Sequence, residues 1–421
     1  MPTPSLILVP ARFKTGKLYT PLATTSGGVV LGASGDFNVT RATTATRFNS
    51  AGFIESVASG VPRLDYYTSG GTAGCPALLV EPSAANSLLQ SAAWNVSPWA
   101  ATSGSQGATV SGNVTASPDG TTNADKLIEA AVTGTHFCLQ TLTLTSGTTY
   151  TASCFVKASE RTRGRLRMSG SGAYWDLEFN LTSGTVTGGT NPFIQNFGNG
   201  WYRIGATFTA NQASNSFILF LLDASGSVSY TGDGTSGLFV FGAQIEVGSI
   251  ATSYIPTTTG SVTRNADVIS VSGAVSGCIG QTEGTLYAEV DIRTFANNGM
   301  FLSISNGGGN DRVEIHKFTD SKIYLNRLSA TQSETTVVAS NVLTAGIFKV
   351  AVAYKSGDTT MYINGAQVGT TQTATFTFLP ITKITVGTNR ADINQLNDRI
   401  RAAALYSTRL TDSQLAALTT L

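Results

Sequence analysis

The sequence predicts an all-β protein: two tandem antiparallel β-sandwiches of the jelly-roll type, preceded by an extended, turn-rich N-terminal segment. Three observations predict it. The 421 residues include 45 glycines in a Thr/Ser-rich texture, as expected of many short strands joined by tight turns. Charged residues make up only 12% of the chain, about half the usual share, so long amphipathic helices would lack charge for their wet faces. Several segments alternate apolar and polar residues with a period of two, as half-buried antiparallel strands do. Hydrophobic residues make up 41%, enough for more than one core.

Residues 1–90 read as an N-terminal attachment or assembly segment. Over residues 1–25, Pro2 and Pro4 precede a short apolar patch, Leu6 to Val9, and then Lys14 and Lys17. This stretch is expected to be an extended arm, ordered only against a partner. Residues 26–90 carry short strand-like pieces, Phe37-Asn38-Val39, Thr46-Arg47-Phe48 and Gly52-Phe53-Ile54, with too few apolar residues for a core of their own. They are expected to wrap on a neighbouring domain or a neighbouring subunit. Within 61–90, Pro62, Pro76 and Pro82 break regular structure and Leu78 to Val80 supply a short buried strand.

Residues 91–258 read as the first sandwich. Its strand candidates include 125–130, 136–144, 149–158, 163–170, 174–181, 201–210, 216–224 and 237–248, punctuated by Gly, Asn and Ser clusters. Residues 259–279 form a connector, in which Val262-Thr263-Arg264 echoes Val39-Thr40-Arg41. Residues 280–421 read as the second sandwich, with strand candidates 285–293, 299–307, 311–319, 322–329, 347–357, 359–370, 382–390 and 399–410. Ser356-Gly357-Asp358 and Asn364-Gly365 mark tight turns, and Asn-Gly between alternating strands is a strong hairpin signal. The last piece predicts a short helix with Thr411 as N-cap and Leu415 and Leu418 facing the core.

The chemistry-bearing residues are few. Net charge is +1, which gives no basic field for nucleic acid. No run of about 18 apolar residues predicts a membrane span, and the N-terminus lacks the basic-then-apolar order of a signal peptide, so synthesis in a cytoplasm without general export is expected. Cys75, Cys138, Cys154 and Cys278 form no CxxC pair, and Cys138 and Cys154 are expected as small buried residues. The two histidines, His136 and His316, are expected as strand residues and cannot build a multi-histidine metal site. Carboxylate pairs occur at Asp176/Glu178, Glu289/Asp291 and Asp311/Glu314, and strand pairs of this kind are ordinarily solvated faces rather than glycosidase acid–base pairs. No catalytic residue is assigned and no cofactor is expected. For a structural calcium, Asp119, Asp125, Asp233 and Glu246 are the oxygen ligands near loop or strand ends. Sugar binding requires aromatic faces beside polar groups, and Trp99, Tyr174 and Trp175 are the candidates; Trp201 is expected in the core. One of Tyr174 and Trp175 is expected to face outward, because adjacent strand residues point to opposite faces.

These residues carry a family likeness. YKSGDTTMYINGAQVGT followed by LYSTRLTDSQLAAL resembles the laminin-G/concanavalin-like sandwich over 280–421. ASPDGTTNADKL, TYTASCFVKA, GNGWYRIGATFTA and FVFGAQIEVGSIATSYIPTTTGSVTRNADV resemble a carbohydrate-binding-module type of jelly roll found in bacteriophage structural proteins. In the last piece Gln244, Glu246, Ser253-Tyr254-Ile255-Pro256 and Thr263-Arg264 look like a block that recurs in virion proteins. The resemblance implies a bacteriophage virion structural protein: an appendage, fibre or decoration protein on head, collar or tail. It would be made in the host cytoplasm, anchored to other virion proteins by its N-terminal segment and assembled as a homo-oligomer, with a trimer as the expected state. Its sandwiches would contact solvent, a neighbour or a host surface glycan. The alternative is a carbohydrate-binding adhesin for host attachment, and a third reading is a glycan-degrading enzyme.

Overall fold

A computed structural model of the chain describes residues 2–10, 13–18, 36–101, 107–170, 173–273, 276–330, 332–339 and 341–421. Among these the strand pairings are antiparallel and the only α-helix is Asp412–Thr419. None of their helices is long and apolar enough to cross a membrane.

Two six-stranded sheets form the first sandwich. One runs, in spatial order, Ala100–Ala101, Phe137–Thr143, Ser214–Leu221, Arg163–Gly170, Ala173–Asn180, Thr185–Gly188. The other runs Ala108–Ala116, Thr122–Glu129, Gly237–Val247, Thr149–Ala158, Trp201–Thr209, Thr190–Asn196. The strand Thr149–Ala158 shows why the layers close. Tyr150, Ala152, Cys154 and Val156 alternate into the core shared with Leu166, Leu177, Phe217, Leu219 and Ile245, while Phe155 joins a separate apolar cluster with Ile54, Trp201, Phe241 and Tyr254.

The second sandwich recruits strands from three parts of the chain. Its first sheet runs Ala366–Gln372, Asp358–Ile363, Gly346–Lys355, Glu283–Ile292, Asp398–Tyr406, Ala73–Val80, Leu64–Tyr67, with Leu6–Leu8 also paired to Asp398–Tyr406. Its second sheet runs Phe13–Lys14, Lys17–Leu18, Phe37–Thr40, Val268–Ser272, Lys383–Val386, Gly299–Ser305, Arg312–Phe318, Lys322–Ser329, Gln332–Val338. The turn between Asp358–Ile363 and Ala366–Gln372 places Asn364 and Gly365 at φ 49° and 86°, the double positive φ that Asn-Gly accommodates. Thr411 caps the helix through a capping box with Gln414, and Leu415 is buried while Leu418 packs beside it.

The expectation of an arm ordered only against a partner is corrected for its described part. Leu6, Leu8 and Leu18 are buried in the core of the second sandwich of the same chain. The reason is the shared edge of the strand Asp398–Tyr406. Ala73–Val80 pairs with its residues 398–400, and Leu6–Leu8 pairs with 403–405, so both are needed to close that edge. The segment over 259–279 likewise supplies a strand, Val268–Ser272, between Phe37–Thr40 and Lys383–Val386. In chain order the first sandwich is thus inserted between strands of the second.

The two chain crossings meet in a buried charge network. Asp267 bonds Arg41 (2.9 Å) and Arg63; Arg63 also bonds Glu81 (2.7 Å), which lies 3.3 Å from Arg264. Ser253 donates its backbone N–H and its hydroxyl to Glu81. Arg293 and Lys317 both bond Asp398, at 3.0 and 2.6 Å. Burial alone would raise the Glu81 carboxyl, but Arg63, Arg264 and Arg293 hold it well below the usual carboxylate range. The repeated Val-Thr-Arg has a structural counterpart here: Arg41 and Arg264 both enter this network.

Candidate functional site in the cleft between the sandwiches

The outward face of the sheet holding Glu283–Ile292 is covered over half its length. There Tyr287, Ala351, Ala353, Tyr362, Ala404 and Tyr406 pack under Leu410 and Leu415 of the C-terminal segment. Farther along the same strands the outward residues become Glu289, Asp291, Ile347, Lys349, Arg399 and Arg401. These open into a cleft of about 890 Å³. Its other walls are Ile194 and Gln195 on an edge strand of the first sandwich, and Tyr67, Thr68 and Ser69 at the tip of the hairpin Leu64–Val80. A smaller cavity of about 220 Å³, lined by Asn191, Pro192, Phe193 and Ser249, shares Gln195 and Arg293 with it, so the two adjoin.

Register explains the arrangement. Asp291 lies opposite Ile347 on one side and Arg399 on the other, and Glu289 lies opposite Lys349. On the Arg399 side the register shifts between Glu289 and Val290: Glu289 pairs with Ala402 and Val290 with Ile400. Arg401 is the extra residue of this β-bulge, and the irregularity lets Arg399 and Arg401 both line the cleft.

The charged side chains are held by their neighbours. Arg401 Nε donates to Glu289 at 2.7 Å. Arg399 bonds Asp65 at 2.9 Å and Asp291 at 3.3 Å, and its guanidinium stands 4.9 Å from the centre of the Tyr67 ring. Burial lowers the Arg399 pKa, but Asp65 and Asp291 outweigh it and leave the guanidinium more firmly protonated. The Tyr67 phenol is pushed up by burial and is edge-on to Phe48 at 5.5 Å, so the ring is fixed and neutral. Lys349 Nζ donates to the Thr420 carbonyl at 2.9 Å. The cleft therefore presents hydrogen-bond donors and acceptors side by side on restrained side chains, next to an aromatic ring. Such a surface suits a ligand whose groups both donate and accept.

The aromatic residues expected to bind sugar lie elsewhere. Trp99 is 7% exposed and stacks on Trp94 at 4.2 Å, with its indole N–H shared between the Leu89 and Gln90 carbonyls. It is a core residue, because a Trp beside a second Trp buries more apolar area inward than a sugar face would cover. Trp175 packs against the first core beside Phe208, with ring centres 5.5 Å apart. Tyr174 lies on the same strand, but its side chain falls outside the described residues. Trp201 is buried, as expected, with its N–H on the Ala116 carbonyl.

The carboxylate pairs carry arginine partners. Asp176 and Glu178 face Arg167 and Arg165 across two strands of the first sandwich, at 2.6 and 2.5 Å. Glu314 sits between Arg312 and Arg390, and Asp311 accepts backbone N–H groups from Ala330 and Leu379. The calcium candidates are satisfied separately. Asp119 caps Thr121, Asp233 caps Thr235 and Ser236, Asp125 accepts from Trp94, Asn95 and Asn113, and Glu246 accepts from Gln244 and Thr252. Among the described residues no group of three or more His, Cys, Asp or Glu side chains could hold a metal ion. Both histidines are buried, His316 on the strand Arg312–Phe318 and His136 at the break before Phe137–Thr143, and Cys138 and Cys154 are buried and unlinked.

The sequence pattern singles out Glu289 and Asp291 as a carboxylate pair but gives no site role to Tyr67, Gln195, Lys349, Arg399 or Arg401. A signal for two of them was present. Glu289-x-Asp291 and Arg399-x-Arg401 put opposite charges at two-residue spacing on two strands of one predicted sandwich, the mark of a cross-strand ladder. Arg165-x-Arg167 with Asp176-x-Glu178 shows the same pattern on the first sandwich, outside this cleft. Concavity, not the ladder, singles out the site.

No family model matches the chain, and no curated protein matches it. Similar solved structures include the CBM40 of Ruminococcus gnavus IT-sialidase bound to alpha2,3 sialyllactose, at 14% identity and TM-score 0.32 over 35% of this chain and 88% of that one. A leech intramolecular trans-sialidase complexed with 2,7-anhydro-Neu5Ac matches at 15% identity and TM-score 0.32, over 36% of this chain and 26% of that one. The binding domain of botulinum neurotoxin DC, in complex with rat synaptotagmin II, matches at 14% identity and TM-score 0.30, over 37% of this chain and 40% of that one. Each likeness spans about a third of this chain at a low TM-score, so the functional reading rests on the chain's own cleft.

Proposed function

We propose that this chain is a non-catalytic carbohydrate-binding protein whose site is the cleft between its two sandwiches. The observation that carries the reading is the row of Glu289, Asp291, Arg399 and Arg401 beside the Tyr67 ring at the floor of that cleft. Saccharide hydroxyls donate and accept at once, so they need carboxylates and guanidiniums within reach of one ring. Ion pairs already order these side chains, which lowers the entropic cost of holding a ligand. Hydrolysis is not favoured, because Glu289 and Asp291 stand on one face of one strand and each is tied to an arginine, so they do not flank a bond from two sides as a glycosidase pair does.

The test is titration calorimetry of the full chain with glycans chosen from an array. Arg401→Ala is expected to weaken binding about ten- to a hundredfold, the worth of one charge-assisted hydrogen bond, without lowering the thermal midpoint. Absence of glycan binding, or an unchanged affinity in Arg401→Ala, would remove the reading.

A second reading, a structural appendage of a bacteriophage virion, draws on the resemblance of the block from Gln244 to Arg264. A specific observation favours keeping it. Ser253 and Arg264 of that block meet the buried Glu81 where the chain returns to the second sandwich, while Glu246 and Tyr254 brace the block on Thr252 and Ser91, as a reusable junction requires. On this reading the cleft would meet a host glycan, and light scattering of the full chain should report the expected trimer. A monomer at micromolar concentration would count against it.

A further inference from the structure

The side-chain charges lining the cleft are unequal. Arg293, Lys349, Arg399 and Arg401 face it, against Glu289 and Asp291. The two acids are taken: Glu289 is bonded by Arg401, and Asp291 by Arg399, which is also held by Asp65 from behind. Arg293 is matched by Asp398. Lys349 is different. Glu289 stands opposite it in the register, yet that carboxylate is turned to Arg401, and no carboxylate of the described residues forms an ion pair with Lys349. Its ammonium rests on a single backbone carbonyl, that of Thr420.

Arg401 is the second cation with capacity to spare. It uses Nε on Glu289, and its side chain is 36% exposed, so with respect to the described residues the terminal nitrogens of the guanidinium remain for a ligand. Lys349 and Arg401 flank the strand Glu283–Ile292 on its two sides. Neighbouring strands lie about 4.8 Å apart, so the backbones that carry these two cations are separated by roughly 10 Å. A partly enclosed cleft strengthens the field of such charges over that of an open surface.

We propose that the cleft selects anionic saccharides, those bearing carboxylate or sulfate groups, with Lys349 and Arg401 as the residues that read the charge. This rests on the carbohydrate-binding reading given above. The spacing favours an acidic oligosaccharide over a small inorganic anion, which could engage one cation but not span to the other.

The experiment uses matched pairs on the full chain: oligogalacturonate against its methyl ester, and a sulfated galactan against its desulfated form, with sodium sulfate as the inorganic control. The acidic member of a pair is expected to bind about ten- to a hundredfold more tightly than the neutral one at low salt, and to lose most of that advantage at 1 M NaCl. Lys349→Gln should shrink the acidic-to-neutral ratio about tenfold, and Lys349→Arg should restore it. Thermal unfolding of each variant checks that the fold is intact. Equal binding of both members, or a ratio unmoved by Lys349→Gln, would overturn the anionic proposal and leave the carbohydrate-binding reading standing. Binding of sodium sulfate as tight as that of the oligosaccharides would overturn saccharide selection. Failure of every acidic and neutral saccharide to bind would remove both.

Discussion

Single side chains decide where this protein is sensitive to acid. His316 is buried between Phe318 and Tyr324, and burial pushes its pKa down from an ordinary value near 6.5 to about 4. Below pH 6.5 the unfolded chain takes up a proton that the folded chain refuses until about pH 4, so stability falls as pH drops through that window. Glu81 acts in the same direction at lower pH. Its carboxyl is held below its unfolded value, so its contribution is present above about pH 4.3 and is lost as pH falls toward the folded pKa. Urea denaturation of the wild-type chain should therefore show unfolding free energy declining from pH 7 to pH 4 and declining further below it. Burial raises the Asp125 and Glu246 carboxyls, which act in the opposite sense, so the His316 part is isolated with His316→Asn, whose decline between pH 6.5 and 4 should be smaller; an equal decline would contradict the buried placement of His316. Glu81→Gln should cost about 3–5 kcal/mol at pH 7, because it removes one of the two buried carboxylates that Arg63 and Arg264 face and leaves Asp267 to both. Chemical denaturation measures this directly.

Elements matter through what they cover. The helix Asp412–Thr419 lies on the outward face of the sheet and hides Tyr287, Tyr362 and Tyr406, and it stops where the charged row begins. Its position is set by the capping box between Thr411 and Gln414. Thr411→Ala should cost about 1 kcal/mol, read as a lowered thermal midpoint; no change would mean that packing of Leu415 alone holds the helix. Helix, cap and Asn364-Gly365 hairpin were legible in the sequence because each depends on residues within a few positions of one another. The bulge at Arg401 was not legible. It exists only because Glu289 and Val290, more than a hundred residues earlier, fix the register of the opposing strand.

At the scale of the whole molecule, the first sandwich is an insertion and the second is assembled from distant pieces. A fragment of residues 280–421 lacks Leu6–Leu8, Phe37–Thr40, Ala73–Val80 and Val268–Ser272, which pair with or fill its sheets. It should be insoluble or unfolded, since it exposes the edge of Asp398–Tyr406 and opens the core around Leu78 and Ile269. Removing residues 1–90 from the full chain should unfold the second sandwich for the same reason, measured as lost cooperative unfolding and aggregation on size exclusion. A soluble, cooperatively folded 280–421 fragment would contradict this assembly. The cleft depends on it as well, because Gln195 comes from the inserted sandwich, Tyr67 from the N-terminal hairpin and Arg401 from the C-terminal strand.

The sequence by itself determined the all-β class, most strand positions, the two-sandwich plan, the hairpin turn and the capped C-terminal helix. These follow from alternation, glycine placement and short-range hydrogen bonding, which a linear reading can follow. Only the tertiary structure decided which sandwich the N-terminal strands complete, that Trp99 and Trp175 turn inward, and that Glu289, Arg399, Lys349 and Tyr67 share one cleft. The physical reason is that strand pairing and aromatic burial are settled by partners far away in sequence. A short apolar strand such as Leu6–Leu8 fits many edges, and the edge it takes is the one left open by the rest of the fold.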